Sequence, residues 1–259
     1  QCLAHDYSLF TRLPVVQTDS KGAYDYYFFT PYDYDRTSDK ETIYGVAGIS
    51  VWNYYGLPTN SRQSSAGISP TQELIDSYET ADGHPILKKT GDGKYYKDDS
   101  HLQPNFNEAA GYDDQNPYEN RDPRFYQSVY FNGAQRHWDD PDELVKIYDN
   151  APRDSSCAID KTTIRNTRTG YYMRKYDKHT SSYETPVTGY VRRFRLAELY
   201  LNFAEAANEA YGPTQQVEGY SGQASMSAVE AVNAVRTRAD MPNVRDEYTT
   251  DRDVFRDRI

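Results

Sequence analysis

One segment constrains this chain more than any other. Residues 190–242 read YVRRFRLAELYLNFAEAANEAYGPTQQVEGYSGQASMSAVEAVNAVRTRADMP, two helical stretches joined by a polar loop that contains glycine. In 191–211 the polar residues Glu198, Asn202, Glu205 and Glu209 recur at spacings of 4, 3 and 4, which marks one narrow stripe of an α-helix. Leu196, Ala197, Leu199, Tyr200, Phe203 and Ala204 lie on the other faces. Apolar cover this wide predicts burial on more than one side. Gly212-Pro213 stops the helix, because proline cannot continue it. A second helix is predicted over 226–239, with Ser225 as N-cap and an apolar stripe at Ala228, Val232, Val235 and Ala239. Such a pair is a scaffold: it holds other parts in place and does no chemistry itself.

The rest of the chain is different in kind. Only 37% of the 259 residues are apolar, and the mean hydropathy is −0.92. Aromatic residues make up 14%, and 26 residues are tyrosines, which bury a ring while keeping a hydroxyl wet. Polar aromatic surface of this kind suits carbohydrate, peptide or protein partners. The net charge of −10 argues against a nucleic-acid partner. No apolar run approaches the length of a membrane span, and no signal peptide is visible at the N-terminus. Cys2 and Cys157 leave both a long-range disulfide and two free thiols open.

Local signals place further elements. Residues 24–30 (YDYYFFT) read as a strand, followed by a long loop over 31–68. A short helix through Glu79 is predicted to start with Ser69 as N-cap, Pro70 in its first turn and Gln72 closing a capping box. Strands are expected over 124–131 and 171–176, a short helix from Asp140 to Tyr148, and a last helix opened by Thr250 and Asp253. Asp82-Gly83, Gly91-Asp92-Gly93, Asn116-Pro117 and Asn132-Gly133 read as turns.

Four pieces in this order resemble the SusD/RagB family of outer-membrane nutrient-binding lipoproteins. They are Ser69–Glu79 with Asp82–Ile86, Arg121-Asp122-Pro123-Arg124-Phe125, Arg195–Ala206 (RLAELYLNFAEA), and Ala231–Ala239 (AVNAVRTRA). The resemblance implies a mostly α fold with tetratricopeptide-like helix pairs, long irregular loops and a few short β-strands. It implies a single SusD-like domain over 1–259, lacking the family's N-terminal helical part and extreme C-terminus. The implied function is non-catalytic: a lipid-anchored protein of the outer-membrane cell surface that binds glycans for import through a SusC-like, TonB-dependent transporter. Two rivals are a glycoside hydrolase and a peptide-binding or scaffold helical protein.

Candidate ligand-binding residues cluster in the loop before the first capped helix. Tyr32, Tyr34, Trp52, Tyr54 and Tyr55 supply rings for the C–H faces of sugars, and Asn53 and Arg62 supply planar polar groups for hydroxyls. The same rings could instead staple the loop to the core. His137-Trp138-Asp139-Asp140 is a second aromatic candidate, set against the reading of Trp138 as a packing anchor. No cofactor is indicated. The acid-rich loops leave room for a calcium ion, yet none has EF-hand spacing. The five histidines show no zinc spacing, and no nucleophile elbow or phosphate-binding glycine loop is present. A hydrolase would need two carboxylates at a set separation, and 39 acidic residues do not single out a pair.

Overall fold

The structure is a computed structural model. It describes residues 6–11, 24, 27–28, 39–49, 68–137, 140–148, 167–176, 189–219 and 223–259. Among these, the helices are α1 (Gln72–Ser77), α2 (Pro123–Ser128), α3 (Leu196–Tyr211), α4 (Ala228–Arg238) and α5 (Arg252–Arg256). The strands are β1 (Thr42–Ile49), β2 (Val129–Tyr130), β3 (Gln135–His137), β4 (Asp140–Leu144), β5 (Tyr172–Met173) and β6 (Gly189–Arg195). The chain divides into two compact units, Gln1–Ser50 with Thr188–Ile259, and Val51–Val187.

The first unit is built on an antiparallel ladder of β1 and β6, with Thr42 opposite Arg195 at one end and Ile49 opposite Gly189 at the other. Next to the ladder lies a buried ionic network. The Glu41 carboxylate, fully buried, accepts from the Phe10 amide at 2.8 Å, from Arg195 Nη1 at 2.7 Å and from Arg238 Nη1. Asp39 accepts from the Thr42 amide at 2.9 Å and from Arg192 Nε at 3.2 Å. The Arg192 guanidinium lies 4.1 Å from the centre of the Tyr27 ring. Buried charges need partners of this sort, since an unpaired ion in the interior costs several kcal/mol (roughly 3–5).

The helix pair forms as its pattern predicts, with shifted ends. Ala204 and Ala207 of α3 cluster with Ala228, Ala231 and Val232 of α4 and with Phe255 of α5. The predicted stripe of Ala228, Val232, Val235 and Ala239 is buried. The Val229 amide donates to the Pro213 carbonyl at 3.0 Å, which sets the start of α4 beside the end of α3. The cap of α4 is Ser227 instead of Ser225: Ser227 Oγ accepts from the Glu230 amide, and the Glu230 carboxylate accepts from the Ser227 amide. Residues 191–195 are strand and not helix, because they pair with β1. Tyr24, Tyr27 and Phe28 are helical, which overturns the predicted strand over 24–30. Their spacing of three and four residues puts three buried rings on one helix face, and Tyr24 and Tyr27 each meet Phe28 edge-on, 4.9 and 5.1 Å between centroids.

The second unit holds short elements and long turns. α1 starts at Gln72, two residues past Pro70, because Thr71 Oγ1 is the side chain that accepts the Leu74 amide. The predicted strand over 124–131 is mostly α2. Asp122 caps it with Pro123 in the first turn, and this start signal outweighs the β-propensity of the sequence that follows. Only Val129-Tyr130 is strand, paired with Tyr172-Met173. The predicted helix from Asp140 begins instead as β4, since β3 offers it a pairing edge at Gln135 opposite Leu144. Ile75, Phe125, Val129 and Tyr171 form one core cluster, and Ile86, Leu87 and Tyr96 another.

Candidate functional site

All seven residues predicted to bind ligand, Tyr32, Tyr34, Trp52, Asn53, Tyr54, Tyr55 and Arg62, lie outside the described residues, as do Trp138, Cys2 and Cys157. What the structure does bring together is a set of polar and aromatic side chains around α1, which immediately follows the tyrosine-rich segment in the chain.

The floor of this set is Arg121, from the motif at 121–125. Its side chain is 1% exposed. It donates to the carbonyls of Ile75 at 2.6 Å, Tyr78 at 3.2 Å and Pro117 at 2.8 Å. The first two belong to the C-terminal end of α1, where the Ile75 carbonyl also takes a long bond from the Tyr78 amide at 3.4 Å. The guanidinium also lies 4.8 Å from the centre of the Phe125 ring and 5.4 Å from that of Tyr112. Beside it, Asp122 fastens Arg124 through both carboxylate oxygens, at 2.5–3.0 Å. The motif is thus a fastener between α1 and α2.

Polar side chains of α1 bond to neighbouring rings. Asp76 is buried and accepts from the Tyr96 hydroxyl at 2.7 Å and from Gln72 Nε2 at 2.8 Å. Gln72 Oε1 accepts in turn from the Tyr171 hydroxyl at 3.2 Å. Burial pushes the Tyr96 and Tyr171 hydroxyls far above the usual tyrosine range, so both stay protonated donors at neutral pH. Tyr96 stacks flat on His101, with centroids 4.4 Å apart and planes 4° from parallel. His101 Nδ1 is 2.9 Å from Glu73 Oε1, a contact that holds the Glu73 carboxyl below its usual range. The half-exposed imidazole and carboxylate can meet a neutral polar ligand through a ring face and an acceptor oxygen.

The acidic loops have local duties. Asp92 accepts from the Thr90 hydroxyl. Asp98 accepts from the amides of Leu102 and Gln103 and from the Ser100 hydroxyl, and Asp113 from the Gln115 amide and Asn116 Nδ2. Among the described residues no group of three or more His, Cys, Asp and Glu side chains is placed to hold a metal ion. The helix pair shows a scaffold surface, with Leu196, Ala197, Ala204 and Ala207 buried. Sequence reasoning did not single out Tyr96, His101 or Asp76. Only the turns between 88 and 105 bring the first two against α1.

The fold has counterparts among solved structures. A SusD-like carbohydrate-binding protein from Bacteroides fragilis is 25% identical with a TM-score of 0.53, over 81% of this chain and 36% of that one. A second SusD-like protein from the same organism, 24% identical, superposes with a TM-score of 0.50 over 99% of this chain and 46% of its own. The chain therefore spans less than half the length of either. No curated protein matches it. The family model of the SusD family matches residues 25–259, from the buried aromatic face at Tyr27 through the helix pair to the end of α5. The chain belongs to the SusD family.

Proposed function

We propose that this protein is a non-catalytic glycan-binding protein that captures oligosaccharide at the cell surface for import through a TonB-dependent transporter. The family match carries the reading, because it runs through residues 25–259 and so takes in the tyrosine-rich stretch with Trp52 and its neighbours. A similar solved structure is named as carbohydrate-binding, and the tyrosine-rich composition supplies the stacking rings such ligands need. Glycan contact falls to Tyr32, Tyr34, Trp52, Asn53, Tyr54, Tyr55 and Arg62. The α3–α4 hairpin is a tetratricopeptide-like element of one SusD-like domain. None of the described helices is long and apolar enough to cross a membrane. In this reading the protein is held at the outer membrane by a lipid anchor.

A calorimetric panel of oligosaccharides titrated into the complete protein tests this. Binding of at least one glycan is expected, with no release of reducing ends. Failure to bind any would refute the proposal. Trp52→Ala should weaken the interaction by about 1–3 kcal/mol, the range for loss of one stacking ring. Unchanged affinity would remove Trp52 from the site.

A further inference from the structure

We propose that the outward face of His101 is a preformed stacking platform for one neutral pyranose unit, a subsite within the described part of the chain. The inference rests on the glycan-binding reading and adds to it a place and a sugar class.

Four observations converge on this ring. One face of the imidazole is covered by Tyr96 in a nearly parallel stack at 4.4 Å. Half of the side chain remains exposed, so with that face covered the exposure belongs to the opposite face and the rim. The rim is fixed at Nδ1 by Glu73 Oε1 at 2.9 Å, and the stack is fixed from below by the Tyr96–Asp76 hydrogen bond at 2.7 Å. The backbone of His101 is left-handed, with φ of 58°, a conformation rare outside glycine. Asp98 holds it there: its carbonyl accepts the His101 amide at 3.3 Å, and its carboxylate accepts the next two amides, Leu102 at 3.3 Å and Gln103 at 2.7 Å.

A strained backbone held by this many contacts marks a place where a side chain is being aimed. A flat ring held rigid with one face in water loses little freedom when a ligand stacks on it, which is the benefit of preorganisation. The ligand that fits is a flat apolar face bordered by hydroxyls. A pyranose presents axial C–H groups to the imidazole and equatorial hydroxyls to the Glu73 carboxylate, itself half exposed. That carboxylate repels an acidic sugar, so the unit is a neutral hexose or pentose and not a uronate.

The test uses the complete protein, titrated by calorimetry with maltohexaose, xylohexaose, mannohexaose, laminarihexaose and, as the charged control, oligogalacturonate. His101→Asn removes the ring while suiting the left-handed backbone. It should weaken binding of the neutral ligand about tenfold. His101→Phe keeps a flat ring and should stay within about threefold of the parent. Sugar C–H to His101 ring cross-peaks in the parent protein give the same answer without any substitution. Parent-level affinity of His101→Asn, with no such cross-peaks, overturns the platform and leaves the glycan reading standing. Equal loss in the asparagine and phenylalanine variants overturns stacking as its basis. A larger His101 dependence for oligogalacturonate overturns the neutral class. If the parent binds none of the ligands, platform and glycan reading fall together.

Discussion

Replacing Arg121 by methionine tests why the second unit holds its shape. The guanidinium, 1% exposed, satisfies the carbonyls of Ile75, Tyr78 and Pro117 at 2.6, 3.2 and 2.8 Å. Methionine fills much of the same space and offers no donor. The Ile75 carbonyl keeps the Tyr78 amide at 3.4 Å, so the carbonyls of Tyr78 and Pro117 are the two left unpaired, at about 1–3 kcal/mol each and roughly 2–6 kcal/mol together. Removing a buried cation returns part of its desolvation energy, so the net cost is smaller, about 2–4 kcal/mol. With a urea m-value of about 2 kcal/mol per M, the unfolding midpoint should fall by about 1–2 M. Hydrogen exchange of the α1 and α2 amides across a urea series reads this locally, without assuming that both units unfold together. Arg121→Lys keeps the charge but loses the planar fork, and should fall about halfway between parent and methionine variant. A methionine variant within about 0.5 M of the parent, or a lysine variant equal to it, would show that the helix-end carbonyls are satisfied without this side chain.

Two further outcomes follow from caps and buried rings. Ser227→Ala should destabilise the helix pair by about 1 kcal/mol and Ser225→Ala by almost nothing, because only Ser227 makes the reciprocal bonds with Glu230; urea midpoints of the two variants decide it, and equal effects would overturn the cap assignment. Stability should also fall in alkali. Burial raises the Tyr27 hydroxyl far above its ordinary value of 10.0. The folded state therefore holds a proton that the unfolded state releases, and the stabilisation present below about pH 10 is lost above it at about 1.4 kcal/mol per pH unit. Tyr96 and Tyr171 shift in the same direction. A urea midpoint that stays flat between about pH 9 and 11 would refute this, and Tyr27→Phe should remove part of the slope.

The residues differ in how far their roles were legible before the structure. The α3–α4 pair was readable because its information is local: a polar stripe, a Gly212-Pro213 stop and an apolar stripe all repeat within a few turns. Its borders were less readable, since residues 191–195 become strand only by pairing with β1, a partner nearly 150 residues earlier. The segment after Asp122 has strand-like composition and folds as helix, because a cap and a proline act at its first turn. The motif 121–125 was visible, but its work was not: Arg121 acts on carbonyls more than 40 residues away. Tyr96 and His101 gave no signal, being ordinary residues in a polar loop until turns stack one ring on the other.

The β1–β6 ladder has a consequence for how such a chain can change. Ile49 and Gly189 face each other across it, so the whole of Val51–Val187 is an excursion that leaves and returns at a single closed pair. The entropic cost of closing a loop rises only with the logarithm of its length, by about 0.6 kcal/mol for each doubling. Adding or removing residues within the excursion therefore changes the entropy of closing the ladder only slightly. A chain wired in this way can lengthen or shorten what lies between Ile49 and Gly189 while the two strands still meet.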